Sequence, residues 1–170
     1  MTGWPTPPRT DPAHRLPERE SLDTWLDFHR ATLLTKCAGL TGEQLATRSC
    51  PPSTLSLLGL VRHMADVERT WFRHVLAGQE VPPIHWTDDE PDGDFDGVDP
   101  AHADRDLEVY LGEVAHARAI AAGHGLEDVG NRRGEQVDLR WILTHMIEEY
   151  AQHNGHADLL RERIDGATGE

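Results

Sequence analysis

Glu149 and His153 stand four residues apart in the stretch His145-Met-Ile-Glu-Glu149-Tyr-Ala-Gln-His153-Asn-Gly-His156. An α-helix turns about 100° per residue, so side chains four apart lie one above the other on one face. His145 and His156 fall on the same broad stripe. Trp141, Leu143, Met146, Ile147, Leu159 and Leu160 recur around them at core spacing, which predicts that the stripe faces inward. Carboxylate and imidazole groups that converge inside a bundle are costly unless compensated, and a bound cation is the simplest compensation. The pattern points to a metal site.

Zinc takes at least three protein ligands, and a catalytic zinc keeps one position open. The best third ligand is a histidine on a facing helix. His63 qualifies, mid-helix in the apolar run Leu60-Val-Arg-His63-Met64. His74, beside Arg73 near a helix end, and His116, between alanines, are weaker candidates. The same spacing also fits hydrogen-bonded core histidines and a salt bridge from Glu149 to an arginine, and a chain with 11 histidines offers chance spacings.

The elements that must position these residues read as helices. Residues 1–17, with Pro5, Pro7, Pro8, Pro12 and Pro17, cannot form a helix and predict an extended arm. A first helix is expected from Glu18 to Ala38, with Leu22, Trp25, Leu26, Leu33 and Leu34 as its apolar stripe and Gly39 as its stop. A short capped turn follows at Thr41. A second helix starts at Ser53 or Ser56 and runs to Ala77, with Leu57, Leu60, Met64, Val67 and Trp71 in period. An acidic loop, Asp88 to Asp99, separates it from a third helix, Ala101 to Ala122. A glycine-rich turn, Gly123 to Gly134, leads to a fourth, Asp138 to Ile164. No segment alternates convincingly with period two. Residues 18–170 therefore predict one all-α domain, a four-helix bundle whose long connections leave room for a crossover.

Composition narrows the function. A formal charge of −14 leaves no basic face for a nucleic-acid partner. Cys37 and Cys50 have no redox or metal-ligand spacing, so a disulfide framework is not expected and a reducing cytoplasm is the expected compartment. The first twenty residues lack an apolar signal-peptide core, and no run is apolar enough to span a membrane.

Two segments together carry a family resemblance: His63-Met-Ala-Asp-Val-Glu68-Arg-Thr-Trp71 and HMIEEYAQHNGHADLLRE on the fourth helix. With four helices in the same order from Leu22 onward, the chain resembles the DinB-like four-helix-bundle metalloproteins. That family pairs a histidine of the second helix with a His-x-x-x-His pair in the fourth. Here the pair begins with Glu149, as in the branch that includes mycothiol-dependent maleylpyruvate isomerase. The resemblance implies His63, Glu149 and His153 as ligands of a divalent metal, with zinc the first choice and nickel or iron as alternatives. It implies a low-molecular-weight thiol such as mycothiol as cosubstrate for a transferase or isomerase acting on a small electrophile. A thiol bound to the metal would react as its thiolate, with no cysteine of the chain required. His156, three residues from His153, is the candidate for proton transfer. A homodimer is compatible with this reading. Two rivals remain: a two-histidine-one-carboxylate non-haem iron enzyme, and a bundle with a structural metal that acts through protein contacts.

Three further features bear on function. Asp92-Gly-Asp94-Phe-Asp96-Gly97 copies half of an EF-hand loop, but Ala103 stands where the closing Glu belongs and Pro100 interrupts it, so a solvated acidic loop is expected. Arg132-Arg133 reads as an exposed loop pair or as a clamp for a substrate carboxylate. Trp71 is expected in the core, and Glu68 as either an exposed charge or a partner of the site.

Overall fold

The computed structural model describes residues 4 and 6–169. Helix α1 (Glu18–Cys37) begins directly after Pro17, with Glu18 and Glu20 in its first turn where the helix dipole favours negative charge. Gly39 follows it at φ 75°. A four-residue helix α2 (Gly42–Leu45) is closed by a Thr41–Gln44 capping box. Of the two serines the sequence offers as caps, it is Ser56 that starts α3 (Leu57–Glu68), its hydroxyl accepting from Gly59 N at 3.1 Å. Helix α3 continues without a break as a π-helical segment, Arg69–Leu76. Helix α4 is a single turn (Gly93–Asp96) inside the acidic loop, and a 3-10 turn (Pro100–His102) leads into α5 (Ala103–Ala122). The last helix, α6 (Leu139–Asp165), is capped by Asp138, which accepts from Trp141 N at 2.7 Å, and ends on Gly166 at φ 81°. The architecture is the all-α bundle that the periodicity predicts. Helix α1 packs chiefly on α6, and α3 on α5, so residues 38–56 link helices that are not principal partners, as a crossover does.

The glycine-rich turn before α6 is a correction. It folds as an antiparallel hairpin of β1 (Val129–Arg132) and β2 (Glu135–Asp138). Arg133 at φ 54° and Gly134 at φ 94° form the two-residue turn, both in the left-handed region that such hairpins require. Four-residue strands lying on a helix bury too little for apolar alternation to show in the sequence. Gly130 has its own reason: a Cβ there would collide with the Val75 carbonyl and come within 2.7 Å of Leu76 Cα.

Residues 6–13 form neither helix nor strand, and Pro5 lies outside the described residues. It is anchored by Trp4, which is buried, accepts from Gly39 N at 2.9 Å through its carbonyl and donates its indole N–H to Asp104 at 3.3 Å. Three expected core residues are exposed instead: Trp25 at 42 %, Trp141 at 47 % and Leu159 at 61 %. Helical periodicity marks a stripe, but its edge lies wherever neighbouring helices stop covering it.

Glu68 is neither exposed nor near the surface. It is fully buried and accepts both Nε and Nη2 of Arg30 at 2.7 Å, and the Tyr150 hydroxyl at 2.7 Å. Tyr110 and Tyr150 share a hydroxyl contact at 3.0 Å. Burial alone would lower the Arg30 pKa, yet the charge and hydrogen bonds of Glu68 hold it above its ordinary value. Burial raises both tyrosines, so this network crosses the bundle as one ion pair and two neutral phenols. Trp71 is buried, as the periodicity indicates.

Candidate metal centre

Helices α3 and α6 bring His63, Glu149 and His153 together, each with one donor atom within 4.8 Å of the others. Glu149 Oε2 and His153 Nε2 face each other at 3.6 Å, too far for a good hydrogen bond. Two donors bound at ~2.0–2.1 Å to a tetrahedral centre lie about 3.4 Å apart, so this separation suits a shared ion better than a direct contact. The His63 and His153 rings sit 4.7 Å apart at their centroids.

Each of these side chains is held by a neighbour. His63 Nδ1 lies 2.7 Å from Asp94 Oδ2, and the ring stacks on Phe95 at 4.6 Å. With the Nδ1–H donating to that carboxylate, Nε2 is left as the lone-pair nitrogen, the arrangement typical of metal-bound imidazoles. Asp94 is buried, and Arg62 pins its loop by donating to the carbonyls of Asp94 and Gly93, both at 2.9 Å. Glu149 Oε1 lies 3.5 Å from His145 Nε2, and the His145 ring clusters with Trp141 at 4.9 Å and Trp71 at 4.7 Å, the two indoles being 5.2 Å apart. His156 Nδ1 lies 3.4 Å from His153 Nδ1. It is half-buried and touches the far side of His153 rather than the donor cluster. His74 and His116 are exposed and outside the cluster.

Asp94 is the residue that the sequence reading placed elsewhere. Its place in the acidic loop predicts a solvated side chain, but α4 turns it inward to His63, where it is buried, while Asp96 pairs outward with Arg48 at 2.9 Å. Nothing local announces this, because the partners are 31 residues apart in the chain.

Electrostatics favour neutral imidazoles here. Burial, followed by the nearby His63 and His156, pushes the His153 pKa down to about 4. His85, under the loop that leads to α4, is likewise pushed down to about 4, mainly by burial and then by Arg62. In the unfolded chain both titrate near 6.5. Between pH 6.5 and about 4 the unfolded state therefore binds protons that the folded state does not, and folding stability falls as pH falls. Thermal melts of metal-free protein at pH 7 and pH 5 are expected to show this loss, reduced in His85→Gln; a flat profile would contradict it.

The family model for mycothiol-S-transferase matches residues 21–166. The chain belongs to the mycothiol-S-transferase family. The match covers all four long helices of this DinB-like bundle, including His63, Glu149, His153 and Asp94. No curated protein matches the chain. No helix among the described residues is long and apolar enough to cross a membrane.

Proposed function

We propose that this mycothiol-S-transferase family member is a divalent-metal enzyme that transfers a low-molecular-weight thiol, mycothiol or a close analogue, to a small electrophile. The observation that carries the reading is the convergence of His63, Glu149 and His153, with a carboxylate already fixing the tautomer of His63. Two imidazoles and a carboxylate suit zinc, and nickel or iron would accept the same donors. A divalent cation held there supplies the positive charge that stabilises a thiolate at neutral pH.

The chain's own residues do the rest. His63 and His153 offer ring nitrogens as donors. Asp94 orients His63, and His145 lies 3.5 Å from the second oxygen of Glu149. His156 meets His153 through its Nδ1, on the side away from the donors. Three protein donors leave a position for the thiol sulfur. The family match favours transfer over isomerisation. Cys37 takes no part, since burial raises its pKa to about 12 and keeps it a thiol.

Cobalt substitution tests this reading. Mycothiol, or a simple thiol at millimolar concentration, is expected to add a sulfur-to-metal charge-transfer band in the near ultraviolet and to release protons. The band should be missing in His63→Ala. If no thiol perturbs the cobalt spectrum, the thiol reading falls, and oxygen consumption with iron and a reductant becomes the next measurement.

A further inference from the structure

The charge distribution around the hairpin runs against that of the chain. The protein carries 30 acidic residues and 16 lysines and arginines. Yet a cleft of about 270 Å³ between the π-helical segment, residues 81–86 and the hairpin has no carboxylate among its described lining residues. It presents Arg69, His74, Arg132 and Arg133, with Val81 and Trp86 as apolar surface.

The π-helical segment makes one wall of this cleft. Arg69 and His74, and likewise Thr70 and Val75, are five residues apart, and all four line the cleft. In an α-helix such pairs would diverge by about 140°. Bonding from i to i+5 brings them into line, and π-helical turns are frequent at functional sites.

The arginines are not equally engaged. Arg69 and Arg73 both donate to Glu113 Oε1, at 2.6 and 3.0 Å, so one carboxylate serves two guanidinium groups. Arg132 lies over the Trp71 ring at 4.4 Å, which holds its plane while leaving its edge donors available. Among the described residues, neither Arg132 nor Arg133 has a salt-bridge partner. Desolvated on one side by aromatic surface, a fork of this kind recognises a planar carboxylate.

We propose that this cleft binds the carboxylate of a small organic acid with an apolar body. Its volume lies near the lower end of small-molecule sites, which limits the ligand to about the size of a benzoate. The cleft is distinct from the donor cluster: Trp71, which contacts both Arg132 and His145, stands between them.

Calorimetric titration with benzoate at low salt, with benzamide as the neutral control, tests the site. Benzoate is expected to bind at millimolar concentration and benzamide at least about tenfold more weakly, since only the anion gains charge-assisted hydrogen bonds. The double variant Arg132→Gln/Arg133→Gln should lose at least about tenfold in benzoate affinity, and Arg133→Glu, at the exposed turn, should lose as much. Both variants should keep the melting temperature and the thiol-induced cobalt band of the parent. Equal binding of benzamide, unchanged binding by the variants, or no benzoate binding at tens of millimolar overturns the proposal. A parent protein that binds benzoate yet shows no thiol band would sink the transferase reading and leave the anion site standing.

Discussion

Purified His153→Ala and His63→Ala proteins are expected to come off a metal-affinity balance almost empty, while the parent holds one divalent ion per chain. Each substitution removes one of only three protein donors, and two remaining donors cannot outcompete water or buffer for zinc. Asp94→Ala provides a graded control. It leaves all three donors but frees the His63 ring to rotate and change tautomer, and loss of such a partner costs about 10–100-fold in metal affinity or activity. Because Asp94 contacts no donor except His63, its effect should vanish in a His63→Ala background. Stoichiometric metal in both histidine variants would show that the donors have been misassigned. Activity with thiol, once an acceptor is known, should follow metal content.

The second large effect concerns stability. Glu68→Leu should lower the melting temperature by roughly 6–20 °C. It leaves the Arg30 guanidinium buried without its forked partner, and breaking a buried pair from one side costs about 3–5 kcal/mol. For a domain of this size each kcal/mol moves the midpoint by about 2–4 °C. Asp27, which Arg30 also contacts at 3.0 Å, is half-exposed and cannot replace a carboxylate at the centre of the bundle. The double variant Arg30→Met/Glu68→Leu removes both charges and should recover most of the loss, because the desolvation cost disappears with the pair. Calorimetric melts of the three proteins decide it. A Glu68→Leu midpoint matching the parent would mean that water reaches Arg30. Metal content is expected to be unchanged throughout, which separates this network from the donor cluster.

The legible part of the molecule was the part written in local periodicity. The four long helices follow from apolar spacing, from Ser53 or Ser56 as the cap of the second and from Gly39 beyond the first, while the capping role of Asp138 and the Gly166 terminus came from the structure. Glu149 and His153 could be paired from spacing because one helix fixes their relation. His63 required a second helix to be placed, and there the family resemblance did what spacing could not. Failures came where a residue's role depends on what lies across from it. Glu68 looks like a surface charge until Arg30 and Tyr150 are seen around it. Asp94 looks like half a calcium loop until α4 turns it under His63. Trp141 keeps core spacing but lies beyond the covered edge of α6, stacked on His145.

Sequence alone determined an all-α bundle with a histidine and carboxylate stripe on its last helix, because helix formation and facing are set by contacts within a few residues. The tertiary structure decided which groups meet: Asp94 with His63, His145 with Trp71, and Arg132 with Trp71. These are meetings between segments distant in the chain, whose pairing depends on helix packing and on where the hairpin and loops come to rest. No short-range pattern encodes that, since each partner would read the same in its local sequence if the other were elsewhere.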